Sequence, residues 1–129
     1  MNPTHGKRPL TILCAEESEF LRTVLAYCLT RAGHLVDTAT NGFEAWDKMM
    51  ADLGHYDVLV TGHSMPVLTG LELVELLHAA KYPGRMFARG SAVSRYERER
   101  YEIFGIEQII METSQPSAVL EALEACPAQ

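Results

Sequence analysis

Apolar runs of strand length alternate along this chain with stretches whose apolar residues recur every three or four positions. "LTILCA" (10–15) is continuous and apolar. The segment that follows carries Leu21, Val24, Leu25, Cys28, Leu29 and Ala32 at helical spacing, and Gly33 supplies a stop. "HLVDTAT" predicts a short strand, and Asn41-Gly42 a turn. "FEAWDKMMADL" places Phe43, Trp46, Met49, Met50 and Leu53 on one helical face. "YDVLVT" (56–61) predicts a buried strand and "GLELVELLHAAK" a third helix. Pro83-Gly84 introduces a short strand at 85–88. "SRYERERYEIF" predicts a charged helix with Tyr96, Ile103 and Phe104 facing inward, closed by Gly105. "EQIIM" predicts a fifth strand, and Pro116 opens the last helix at its first turn.

Continuous apolar strands alternating with amphipathic helices predict an α/β fold, a parallel sheet covered on both faces. In such folds the functional crevice lies beyond the carboxyl ends of the strands. The residues there are Glu16 and Glu17, then Gly62, then Arg89 to Ser91, then Glu112 and Thr113.

Composition narrows the function. A length of 129 residues fits one compact domain, and the net charge of −6 argues against nucleic acid as a partner. No apolar run is long enough to span a membrane, and "MNPTHGKRPL" has no secretory h-region, so a cytoplasmic protein is expected. Cys14, Cys28 and Cys126 form no CxxC pair and are expected as thiols. Adjacent carboxylates at a strand end repel phosphate, and the P-loop pattern is absent. No nucleophile–base pair stands out, so an enzyme is not expected.

With "ILCAEE", "AGHLVDTATNGFEAW", "YDVLVTGHSMPVLTGLEL" and "YEIFGIEQIIMET" in register, the chain resembles the receiver domain of two-component response regulators. The resemblance covers Pro9 to about Ala125. It implies a flavodoxin-like, doubly wound, five-stranded parallel sheet of order 2-1-3-4-5 with five helices. It also implies one domain over 9–129 after a tail at 1–8. In that family an Asp ending the third strand takes a phosphoryl group from a histidine kinase. An acidic pair holds Mg²⁺ with it, a Lys ending the fifth strand binds phosphoryl oxygens, and a Ser or Thr ending the fourth reports their presence.

This sequence departs at most of those positions. The acceptor position, four before Pro66, is Gly62. The Lys position is Glu112. The hydroxyl position, counted back from Gly105 without gaps, is Gly90, and a one-residue shift in that count makes it Arg89 or Ser91. The acidic pair survives as Glu16-Glu17, each a methylene longer than Asp, and is the candidate site for Mg²⁺. The resemblance therefore implies a degenerate phosphorylation pocket of Glu16, Glu17, Gly62, Gly90 and Glu112. Three carboxylates there need a neutraliser: Arg89, or else a bound cation. If neither holds, Arg89 reaches to solvent.

The expected function is a stand-alone signalling module of a phosphorelay system, acting by protein–protein contact without Asp phosphorylation. The alternatives are a receiver with an unorthodox acceptor, His63 or Ser64, and a sensor whose emptied pocket binds a metal or nucleotide. Expected partners are a histidine kinase or an output protein, or a second copy through the fourth helix, fifth strand and fifth helix. Arg95, Arg98, Tyr101 and Ile109 are the candidate partner surface, with Arg95–Glu99 and Arg98–Glu102 at i,i+4 spacing on a solvated helix.

Overall fold

The computed structural model describes residues 8–125, so Cys126 lies outside the described residues. Ten elements alternate: β1 (Thr11–Ala15), α1 (Glu19–Arg31), β2 (Leu35–Ala39), α2 (Gly42–Ala51), β3 (Val58–Gly62), α3 (Gly70–Ala79), β4 (Arg85–Gly90), α4 (Arg95–Ile103), β5 (Ile106–Met111) and α5 (Ser117–Glu124). The strands form one sheet of order β2-β1-β3-β4-β5, with every pairing parallel. The parallel sheet expected from the alternating pattern, and the doubly wound order implied by the resemblance, are the ones observed.

Side chains alternate across the sheet, so each strand feeds two cores. Ile12, Cys14, Val58, Val60 and Phe87 pack with Leu25 and Leu29 of α1 and Val119 and Leu123 of α5. Leu13, Leu59, Met86 and Ala88 face Met49 of α2, Leu73, Val74 and Leu77 of α3, and Tyr101 of α4. Local chemistry marks the helix ends. Ser18, Asn41, Thr69 and Ser94 cap α1 to α4, and Thr69–Glu72 and Ser94–Glu97 form reciprocal capping boxes. Gly33 and Gly105 take φ of 101° and 95°, the left-handed exit that glycine makes without a steric cost.

Two helical faces differ from the periodicity reading. In α2, Phe43 and Met50 are exposed, and Gly42, Ala45 and Met49 face the core. A Cβ on Gly42 would overlap the Leu68 carbonyl oxygen, so the helix start lies flat against the loop before α3 and turns Phe43 outward. In α4, Tyr96 and Ile103 are 67% and 62% exposed, whereas Tyr101 is fully buried. Tyr101 is therefore no part of a partner surface. Its hydroxyl meets a polar side chain from the loop after β3, a contact that periodicity does not encode.

Candidate functional site

Four strand ends and the turns after them converge at the carboxyl edge of the sheet. β3 and β4 set the register there: Gly62 is the Cα partner of Arg89, and Gly90 of Met111. β4 runs two residues further than the apolar run predicts, through Arg89 and Gly90. By alternation Arg89 follows Phe87 onto the α1/α5 side, and Gly90 follows Ala88 onto the side of α2 to α4.

On the α1/α5 side, the Arg89 side chain is 3% exposed, and its Nη1 lies 3.6 Å from Glu16 Oε1. Its Nη2 donates to the Glu112 carbonyl oxygen at 3.2 Å. Among the described residues, Nε and Nη1 have no hydrogen-bond partner. Glu16 is held by the loop it begins. Its Oε2 accepts from the Ser18 N–H at 3.0 Å, and Arg22 donates to its carbonyl oxygen at 2.8 Å. Glu16 Oε1 also lies 3.4 Å from the point that a Cβ on Gly62 would occupy. The Cys14 thiol lies one layer below. Burial pushes its pKa up to about 12 and the Glu16 charge adds to this, with Arg89 and Arg22 opposing.

The expected three-carboxylate pocket is not what assembles. Only Glu16 turns inward. Glu17 is exposed, and Glu112 contributes backbone groups while its side chain stands in solvent. The reason is reach and register: Glu112 lies one residue beyond the end of β5, past the last side chain that the sheet directs inward. Among the described residues, no group of three or more His, Cys, Asp or Glu is placed to hold a metal ion.

On the other side, His63 is 9% exposed and its backbone is clamped. Its N–H donates to the Arg89 carbonyl at 2.7 Å, and its own carbonyl accepts from the Gly70 N–H at 2.9 Å. Its Nδ1 lies 2.6 Å from Tyr101 Oη, and its Nε2 lies 3.4 Å from Glu97 Oε1. The Ser94 N–H, with His63 adding, holds the Glu97 carboxyl below its usual range. Burial pushes the Tyr101 phenol up. The role of Tyr101 was invisible in the sequence, and the adjacent Gly62-His63 departure was the only signal near it.

A cleft of about 510 Å³ opens above His63, lined also by Glu17, Ser64, Met65, Pro66, Thr69, Leu71 and Glu97. Ser64 is exposed at its rim. Val67, in the same loop, takes φ of 73°, a conformation costly for a β-branched residue. The Leu68 N–H donates to the Pro66 carbonyl at 2.8 Å across it, closing a tight turn. Val67 is 78% exposed, so packing does not repay that strain. Val67→Gly is therefore expected to be stabilising by about 1 kcal/mol, against the usual loss for glycine. Urea unfolding checks this, and a destabilised variant would mean that the turn is not strained.

Of the surface residues expected to meet partners, Arg95 and Arg98 are exposed and Ile109 is half-buried against the core. Arg95 pairs with Glu99 at 3.6 Å. Arg100, between the two faces, stacks over Phe104 at 4.8 Å. No described helix is long and apolar enough to cross a membrane.

The model of the response regulator receiver domain family matches residues 12–124. A chemotaxis protein CheY homolog of Campylobacter jejuni is 37% identical over 73 residues, 56% of this chain and 55% of that protein. The DNA-binding transcriptional regulator NtrC of Azospirillum brasilense is 41% identical over 64 residues, half of this chain and 13% of that protein. The chain thus spans about half the length of the first of these curated relatives, and less of the second. Chemotaxis protein CheY4 of Vibrio cholerae has a similar fold, with a TM-score of 0.81 at 23% identity over 90% of this chain and 97% of that one.

Proposed function

This chain belongs to the response regulator receiver domain family, and we propose that it works in two-component signalling as a module read by protein contact, without phosphorylation at the end of β3. One observation carries this reading. A buried guanidinium, Arg89, sits against Glu16, beside the position where the family resemblance puts the acceptor. Gly62 has no group to phosphorylate. The fixed charge of Arg89 also takes the part that a divalent cation would otherwise play toward Glu16. Mg²⁺ does not fit the residues present. It would need oxygen ligands in number, and Glu16 alone turns inward, already paired to a cation and to the Ser18 N–H.

The unorthodox acceptors gain no support from the geometry. His63 presents Nδ1 to Tyr101 and Nε2 to Glu97, so neither nitrogen faces a phosphoryl donor. Ser64 is exposed, with no base described beside its hydroxyl. The partners that fit the family are a histidine kinase, an output protein, or a second copy using α4, β5 and α5. The exposed Tyr96, Ile103 and Met111 give that face its apolar content.

The test is incubation with acetyl phosphate and Mg²⁺, read by intact mass. No change is expected. A stable adduct of one phosphoryl group mapped to His63 or Ser64 would overturn the proposal in favour of an unorthodox acceptor.

A further inference from the structure

The two odd glycines of the carboxyl edge lie on opposite sides of the sheet, and they are filled by different side chains. Arg89 and Glu16 occupy the side of Gly62. His63 occupies the side of Gly90: a Cβ on Gly90 would stand 2.8 Å from His63 Cβ and 2.9 Å from Val93 Cγ2. The first of these distances is set by two backbones, so no rotamer change relieves it. A residue with any side chain at 90 and the present placement of His63 are mutually exclusive.

His63 uses that space to reach α4. Its backbone is anchored twice, to β4 through the Arg89 carbonyl and to α3 through the Gly70 N–H. Its ring then meets α4 at two points one helical turn apart, Glu97 and Tyr101. The Nδ1–Oη hydrogen bond is made in either neutral tautomer, as acceptor from the phenol or donor to it. Glu97 is also the residue that closes the capping box with Ser94, at 2.9 Å to the Ser94 N–H. One imidazole therefore touches both the first turn of α4 and its only fully buried side chain. Few other contacts hold this helix, since its remaining residues are mostly charged and exposed.

We propose that His63 is the positioning residue of α4: a built-in tether, standing over Gly90, that keeps the helix in one place without any phosphoryl group. The outer face of α4 is then presented to partners at all times. This rests on the reading that the pocket is not switched by phosphorylation. Its test uses no phosphodonor, so it fails or succeeds independently of the labelling experiment.

The experiment is amide hydrogen exchange on the full chain for wild type, Tyr101→Phe, His63→Leu and the double variant. Tyr101→Phe removes one oxygen from a filled site, so it keeps the test valid even if His63→Leu folds poorly. Tyr101→Phe and His63→Leu are each expected to speed exchange across residues 98–103 by about tenfold or more, a loss comparable to one buried hydrogen bond. Amides of β1 and β3 should be unchanged. The double variant should be no faster in α4 than the faster single one, because the tether is already cut. Gly90→Ala, which removes no hydrogen-bonding group, should also loosen α4 by displacing the ring. Exchange that rises equally in α4 and in β1 and β3, additive effects in the double variant, or an unaltered α4 in Tyr101→Phe would each overturn the proposal.

Discussion

Alanine at position 70 is expected to destabilise the protein by about 3 kcal/mol or more, the upper end of what overpacking costs. Gly70 opens α3 directly beneath the end of β3. A Cβ there would overlap the Gly62 carbonyl oxygen and stand 3.0 Å from both the Gly62 carbonyl carbon and His63 Cα. These atoms are backbone, so the strain cannot be relieved by a side-chain rotation. α3 must instead lift away from β3. That motion breaks the hydrogen bond from the Gly70 N–H to the His63 carbonyl and disturbs Leu73, Val74 and Leu77, which are all fully buried. Gly54→Ala is the control. Its nearest atom would be Asp52 Oδ1 at 3.9 Å, so it should be neutral or slightly stabilising. Urea unfolding of the three proteins decides the matter. A Gly70→Ala variant within about 1 kcal/mol of wild type, well under the expected loss, would mean that the loop yields more easily than its contacts imply.

Arg89→Met should cost about 2–4 kcal/mol at neutral pH, because it leaves the Glu16 carboxylate without its cation. The figure sits below the full loss for a buried pair, since Glu16 is 12% exposed and keeps the Ser18 N–H. Adding Glu16→Gln should recover most of the loss. Among the described residues two guanidinium nitrogens of Arg89 find no hydrogen-bond partner, so exchanging the whole pair for uncharged groups removes a desolvation cost along with the attraction. Glu17→Gln and Glu112→Ala should both fall within about 0.5 kcal/mol of wild type, as exposed side chains do. The comparison of single and double variants at neutral pH is the measurement. If Glu112→Ala matches Arg89→Met in cost, the three-carboxylate arrangement expected from the sequence is correct after all, and the outward placement of Glu112 is wrong.

The helix stops at Gly33 and Gly105 were legible in the sequence, and the N-caps, though unread there, are just as local. Ser94 and Glu97, or Thr69 and Glu72, satisfy backbone groups within four residues of themselves, so a short motif carries the whole interaction. The strands were legible as continuous apolar runs, since both faces of the sheet are covered. The strand ends were less so. The apolar run of β4 ends before Arg89, but the strand does not. It continues because Arg89 finds Glu16, which lies on β1's loop and is brought close only by the sheet order.

The facing of α2 and α4 departs from their periodicity for a related reason. Phe43, Met50, Tyr96 and Ile103 are apolar at helical spacing, and periodicity alone turns such residues inward. What rotates these helices is a close approach at Gly42 and a polar contact at Tyr101. Neither is a local property of the segment.

The sequence by itself thus determined the alternating α/β plan, the glycine stops at Gly33 and Gly105, and the residue type at each strand end, Gly62 among them. Those are statements about residue type and near-neighbour spacing, and residue type is all that a chain states directly. Only the tertiary structure decided what packs beside Gly62 and Gly90. Arg89 and Glu16 meet across three strands at the side of Gly62, and His63 meets Tyr101 across 38 residues over Gly90. Glu112, equally eligible by type, stays in solvent because it lies one residue past the last pairing of β5. Pair interactions between distant residues depend on distances of a few ångströms, and those distances exist only once the sheet has brought the strand ends together.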